Sequence, residues 1–358
     1  MRPADRPVEG YGQPLVGTAG GRPLVSVVVP AFGVEPWLER AVASALASTG
    51  VETEVIVVDN GGTGGTTERL AAMERVTLVR PGSNLGFAGG CNAGLARAKG
   101  DVVFFLNQDA VLEPDALSHL AEVALEPGVG AASGSVRLAD DPGRMNSWGN
   151  PMHFLGFSWS GGFGEPVRPD DVRREVTGAS GTAMAVRRSL FEELGGFADD
   201  YFAYHEDLEF SIRCWLRGLT VAYVPDAVVT HRYEMSRNPS KFYLLERNRL
   251  FLVASLYERR TLALLFPALL ATELGMLAVA LQAGWLRQKL AGWRWLWRHR
   301  DKVRARRRLL QEERVMGDRQ LAPHLTSHFD AGNLLMPEWA RPLDAVVAAY
   351  WSLVRRVI

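Results

Sequence analysis

The sequence predicts an α/β protein, a doubly wound and mostly parallel sheet followed by a helical C-terminal region. Two observations carry the prediction. Between Leu24 and Leu106, four short apolar runs alternate with three helical patterns. These runs are apolar on both faces, as buried parallel strands are. From Lys241 onward the spacing is wholly helical. With 358 residues, 47% hydrophobic and 22% charged, the chain is neither disordered nor fibrous. Three regions follow from this pattern: a Pro-, Gly- and Arg-rich tail at 1–21 with no secretory h-region, an α/β domain at 22–240, and a helical region at 241–358.

Each element has its own warrant. The first strand, Leu24 to Pro30, is apolar and β-branched and stops at a proline. Glu35 to Ser48 places Trp37, Leu38, Val42, Ala45 and Leu46 at helical spacing. Glu54 to Asn60 is the second strand, and a five-residue Gly/Thr run precedes a helix from Thr66 to Met73. Val76 to Val79 is the third strand, and a glycine-rich turn from Asn84 opens a helix through Ala98. The fourth strand, Asp101 to Leu106, ends at Asn107-Gln108-Asp109. Strands at Val129 to Val136, Val176 to Val186 and Thr220 to Val224 follow, with helices at Arg188 to Leu194 and Glu206 to Arg217.

In a parallel sheet, ligands bind at the carboxyl ends of the strands. Pro30, Asp59-Asn60 and Asn107-Gln108-Asp109 all stand at such ends. Asp59 suits a hydrogen bond to a ribose or base, and equally a turn cap. Asp109 suits a divalent cation, with a turn residue as the alternative. Glu206 and Asp207 open a helix, where acids serve either as caps or as a general base. His231 closes an apolar run, as a structural histidine or a metal ligand.

Taken in order, these blocks resemble the inverting glycosyltransferases of family 2, which have the GT-A fold. The matching segments are Ser26 to Phe32, Val57 to Thr63, Asn84 to Asn92, Phe105 to Asp109, Gly178 to Met184, Gly195 to Asp199 and Phe202 to Arg213, with His231. The Asn84-to-Asn92 block is most similar to rhamnosyltransferase-like members. The resemblance implies that Pro30, Ala31, Phe32, Asp59, Asn60, Asn84, Gly86, Gly89, Asn107 and Asp109 bind a nucleotide diphospho-sugar, dTDP- or UDP-linked. It implies Mg²⁺ or Mn²⁺ on Asp109 and His231, Asp207 as catalytic base, and Glu206 in support. Where the family's metal element opens with Asp, this chain has Asn107, which removes one negative charge.

A Rossmann dehydrogenase is excluded, because Gly86-Phe87-Ala88-Gly89-Gly90 lacks the dinucleotide spacing. A nucleotidyltransferase would need a basic, glycine-rich loop after the first strand, and Pro30 to Glu35 is not one. A GT-A-like binding protein without catalysis is the remaining alternative.

Forty basic residues balance forty acidic ones, yet Trp285 to Arg308 holds ten Lys or Arg against Asp301 alone, interleaved with Trp293, Trp295 and Trp297. No nucleic-acid motif accompanies them, so a nucleic acid partner is not expected. The segment suits an anionic membrane surface and, with the resemblance, a glycan or polyprenyl-diphosphate-linked acceptor. Leu262 to Leu281 is long enough to cross a bilayer, but Glu273 and Pro267 favour a buried or interfacial helix. Two lone cysteines, Cys91 and Cys214, fit a cytoplasmic setting at the inner face of the cell membrane. Trp148, Phe154, Phe157, Trp159 and Phe163 suit either sugar stacking or core packing.

Overall fold

The computed structural model describes residues 21–234, 240–330 and 341–358. Apart from Gly21, the N-terminal tail lies outside the described residues. The described residues fall into two compact units, the first comprising residues up to Asn150, Ser160–Cys214 and Leu219–Tyr233.

The first unit begins with β1 (Leu24–Ala31), α1 (Leu38–Leu46), β2 (Glu52–Asp59), α2 (Thr66–Ala71), β3 (Val76–Val79), α3 (Gly86–Leu95) and β4 (Val102–Leu106). It continues with β5 (Ala110–Leu112), α4 (Ala116–Leu125), β6 (Val129–Leu138), β7 (Met145–Ser147), β8 (Arg174–Glu175) and β9 (Ala183–Arg187). It ends with α5 (Arg188–Glu193), α6 (Glu206–Leu216) as far as Cys214, and β10 (Thr220–His231). The strand order is β3-β2-β1-β4-β9-β6-β10-β5, with β7 on β6 and β8 on β10.

β1 pairs in parallel with both β2 and β4, and β2 with β3. Valines explain this: Val27, Val28 and Val29 are wholly buried, so both faces of β1 are covered. On one face α1 lays down Leu38, Ala41, Val42 and Ala45 at helical spacing. On the other, α3 approaches so closely that a Cβ on Gly94 would stand 2.3 Å from Val28 Cγ1. β1 lies between two parallel neighbours whose connections diverge, so a crevice opens at the carboxyl ends of β1 and β4.

Beyond β4 the sheet is mixed. β9 runs antiparallel to both β4 and β6, and β10 returns parallel to β6. The strand predicted to stop at Val224 continues to His231, because a register shift between Val224 and Val228 absorbs Pro225 and Asp226. The resumed end of β10 then pairs antiparallel with β5, setting His231 opposite Ala110.

The second unit gathers Pro151–Trp159, Trp215–Gly218 and Glu234–Ile358. Its helices are α7 (Lys241–Leu256), α8 (Arg259–Gln282), α9 (Leu286–Arg298), α10 (Arg300–Glu313), α11 (Asp318–Leu321) and α12 (Arg341–Val354). The 151–159 stretch is built into it: Phe154 stacks on Trp351 at 4.6 Å, and the Tyr257 hydroxyl donates to the Phe154 carbonyl at 2.7 Å. Phe157 packs edge-on against Phe329, so these two rings serve the packing of this unit.

A buried ionic cluster links three of its helices. Lys289 Nζ lies 2.6 Å from Glu246 and 3.0 Å from Glu273, and Arg249 reaches both carboxylates. Burial pushes the Glu246 carboxyl up, but the charges of Arg249 and Lys289 outweigh it and hold it at about 2. Among the described residues, α8 is the one helix long and apolar enough to cross a membrane by length and composition.

Candidate functional site

The crevice starts at β1. Pro30 and Ala31 are buried, while Phe32 is 56% exposed at the strand end. Gln108 clamps this end to that of β4: the Phe32 N–H donates to Gln108 Oε1 at 2.9 Å, and Gln108 Nε2 donates back to the Phe32 carbonyl at 2.9 Å. Sequence reasoning named Gln108 only as part of its tripeptide.

At the end of β2, Asp59 is half-buried and caps the turn. It accepts from Gly61 N–H at 2.9 Å and from the Thr67 hydroxyl at 2.8 Å. Asn60 is buried and reaches across to the next loop, accepting from Leu85 N–H at 3.2 Å and donating to the Gly86 carbonyl at 3.1 Å. Asn84 Oδ1 accepts from Gly86 N–H at 2.8 Å, closing the turn that starts α3.

Gly86 adopts φ +72, and a Cβ there would fall 2.2 Å from the Phe202 carbonyl oxygen. That carbonyl accepts from Ala88 N–H at 3.1 Å, so the 84–89 loop sits directly on the 199–205 loop. Gly89 is buried, with a Cβ position 2.8 Å from Leu85 Cβ. Gly86→Ala forces the left-handed region, costing about 1–2 kcal/mol before the collision is counted. The expected result is a melting temperature lower by several degrees and weaker nucleotide binding. A calorimetric scan checks the first, and an unchanged melting point would show that the two loops are not locked together.

Asp109 and His231 meet at the β5–β10 pairing, 8% and 6% exposed. His231 Nε2 stands 3.3 Å from Asp109 Oδ1 and 3.4 Å from Asn107 Nδ2. On its other side, Nδ1 lies 2.8 Å from Asn146 Oδ1. The Asn146 oxygen accepts from Nδ1 and so fixes the ring's orientation, with Nε2 turned to Asp109. Nε2 thus faces the Asp109 carboxylate and the Asn107 amide, and the imidazole nitrogen with the carboxylate oxygen is a donor set that fits Mn²⁺ or Mg²⁺. Among the described residues no group of three His, Cys, Asp or Glu side chains gathers for a metal.

Glu206 and Asp207 open α6, and the residues just before it are strained. Phe202, Tyr204 and His205 all hold positive φ, between 64 and 70. Asp207 Oδ2 accepts from Gly181 N–H at 2.8 Å and from Asn150 Nδ2 at 2.8 Å, and Oδ1 accepts from Leu208 N–H at 2.7 Å. Burial pushes the Asp207 carboxyl above the ordinary range, against the pull of these hydrogen bonds. Glu206 is driven well above its ordinary range by burial and by Asp207 beside it. Its Oε2 finds no hydrogen-bond partner among the described residues. Of the two, it is Asp207 whose hydrogen bonds favour the charged form.

Two short segments serve both centres. Asn146 holds His231 and Asn150 holds Asp207. The Gly181 N–H holds Asp207, while the neighbouring Thr182 carbonyl accepts from Asn107 N–H at 3.3 Å. Sequence reasoning missed Asn146 and Asn150. Their one signal is a pair of amides flanking the Trp148-Gly149 turn after a short strand.

The glycosyl transferase family 2 profile matches residues 26–195. The chain is 31% identical over 247 residues to the N-acetylglucosaminyl-diphospho-decaprenol L-rhamnosyltransferase of Mycobacterium tuberculosis, covering 61% of this chain and 79% of that one. It is 26% identical to the O-antigen chain rhamnosyltransferase RfbN of Salmonella typhimurium, over 58% of this chain and 66% of the other. Among solved structures, GalNAc-T7 with UDP, GalNAc and Mn²⁺ superposes with a TM-score of 0.55 at 17% identity, over 67% of this chain and 49% of that one. S. aureus TarS 1-349 superposes with a TM-score of 0.51 at 16% identity, over 93% and 89%. At these identities the two structures speak to the fold, which is GT-A.

Proposed function

The chain is a glycosyltransferase of family 2, similar to rhamnosyltransferases, and on that premise we propose that it moves rhamnose with inversion from a dTDP- or UDP-linked donor to a polyprenyl-diphosphate-linked glycan. The mycobacterial relative, an N-acetylglucosaminyl-diphospho-decaprenol L-rhamnosyltransferase, supports this choice of sugar and acceptor. Such an acceptor puts the work at the inner face of the cell membrane, in cell-surface polysaccharide synthesis.

In this reading Pro30, Ala31, Phe32, Asp59 and Asn60 border the nucleoside. Asn84, Gly86, Gly89 and Asn107 shape the wall around the sugar and its diphosphate. Asp109 and His231 would hold a divalent cation, Mg²⁺ or Mn²⁺. When bound, the cation supplies Lewis-acid stabilisation of the charge on the leaving diphosphate. Asp207 accepts the proton of the attacking hydroxyl. Glu206, beside it at the start of α6, supports Asp207 in that role. One in-line displacement inverts the anomeric centre, and the leaving diphosphate departs from the face opposite the attack.

The observation that carries the reading is Asp207 itself, a carboxylate held by three hydrogen bonds, one of them from Asn150 on the short segment whose Asn146 holds His231. Calorimetric titration with a panel of nucleotide diphosphates, first with Mn²⁺ or Mg²⁺ and then with chelator, tests it. Metal-dependent binding of dTDP or UDP is expected. A folded protein that binds none of them would favour a binding protein without catalysis.

A pH dependence follows with a definite sign. Asp207 acts deprotonated, so kcat/KM falls as pH drops through its pKa. That pKa is raised, so the acid limb lies above about 4, the ordinary aspartate value. Asn150→Ala removes a donor that favours the charged form, and the limb moves to higher pH. A pH–rate profile checks this, and an unmoved limb would detach Asn150 from the base.

A further inference from the structure

Among the described residues, the helical unit leaves an apolar face exposed. Of the 24 residues of α8, only Thr261, Leu265 and Ala280 are buried. Phe266, Leu270, Leu274 and Leu281 are 62%, 49%, 59% and 67% exposed, and their spacing sets them along one side of the helix. Thr261, Leu265 and Ala280 mark the side that turns inward, and Glu273 stands at the edge of the stripe, bound by Arg249 and Lys289 of the same unit. Trp293 Nε1 donates to Glu273 at 2.7 Å, so α9 runs back along α8 as a hairpin. The exposed residues of α9 are of another kind: Leu290 and Trp297 stand among Arg287, Arg294 and Arg298.

We propose that the α8–α9 hairpin seats the chain on an anionic phospholipid bilayer, with α8 lying in the plane of the interface. Two chemistries together choose this occupant. The α8 stripe needs acyl carbon, and the arginines of α9 need phosphate. A bilayer surface offers both within a few ångströms, with tryptophan at the boundary. The in-plane seating follows from Glu273. A helix whose charged residue is bound from within its own unit cannot have lipid on every side. At 1.5 Å per residue, α8 would lie along about 36 Å of membrane surface. The surface gives a place to the lipid-linked acceptor and rests on that reading for its purpose, although the binding can be measured without it.

The test uses the full chain and sedimentation with vesicles of phosphatidylglycerol and phosphatidylcholine, against phosphatidylcholine alone. The chain is expected to sediment with the anionic vesicles. The double variant Leu270→Glu, Leu274→Glu and the double variant Arg294→Gln, Arg298→Gln should each bind about tenfold more weakly or worse, with unchanged melting temperatures. Failure of the unaltered chain to bind, or undiminished binding by the leucine variant, would overturn the proposal. So would a dimer in solution that the leucine variant splits, since a second copy would then cover the stripe. Retention after an alkaline carbonate wash would overturn the in-plane seating. Transfer to a water-soluble acceptor, run in parallel, separates the two readings. Vesicle binding without transfer sinks the transferase proposal alone, and transfer without vesicle binding sinks this surface alone.

Discussion

Asp207→Asn is expected to remove sugar transfer while leaving the donor bound. The amide keeps nearly the same volume and still accepts at Oδ1, so α6 keeps its first turn. What is lost is the ability to take a proton from the acceptor hydroxyl. General-base assistance contributes on the order of 10²–10⁴-fold, so kcat should fall by about a thousandfold, or about 4 kcal/mol of barrier. The donor's dissociation constant should move little. Because Asp207 takes two donors on Oδ2, from Gly181 and Asn150, the new amide will turn its NH₂ away from at least one of them. A small loss of stability is therefore part of the expectation. Full transfer by this variant would remove Asp207 from the role of base, and loss of donor affinity would assign it to binding.

The second large effect is expected of Asp109→Ala. His231 would remain, oriented by Asn146, but with no carboxylate opposite Nε2. One imidazole is a poor site for a hard divalent cation. Calorimetry should then show nucleotide binding that is the same with Mn²⁺ and with chelator. Transfer should fall by roughly a thousandfold, the equivalent of several kcal/mol of charge stabilisation in the transition state. Asn107→Asp makes the opposite change by returning a carboxylate to the first position, and it should strengthen metal binding in the absence of nucleotide. Nucleotide affinity in Asp109→Ala that still rises with Mn²⁺ would place the cation elsewhere.

Much of the parallel half could be read in advance, because strands buried on both faces leave an uninterrupted apolar run. β1, β2, β3 and β4 have that composition. The mixed half could be read in part: β6, α5, α6 and the start of β10 were legible, while its short strands and its pairings were not. β5 and β7 span three residues each, too short for any period to show, and Pro225 hid the continuation of β10. That continuation is what carries His231 to Asp109. Their meeting is set by the β5–β10 register, which no local pattern encodes. Asp109, Asp207 and His231 were legible through resemblance more than through chemistry, since each has an ordinary structural use. Asn146 and Asn150 were illegible because an asparagine that orients another side chain looks like any turn residue until its partner arrives through the fold.

The helical unit is threaded through the α/β unit's sequence. Residues 151–159 and 215–218 belong to it, although the rest of it begins only at Glu234. Phe154, fully buried, has Trp351 against its ring and Tyr257 on its carbonyl. The two units are therefore not interchangeable cassettes. A gene truncated after the last sheet strand would encode an orphaned Phe154, its socket gone, and a helical region grafted from a relative would arrive without the nine-residue plug that fills it. Recombination is constrained to exchange plug and socket together, so the two must change in step even though about 200 residues of chain lie between Phe154 and Trp351.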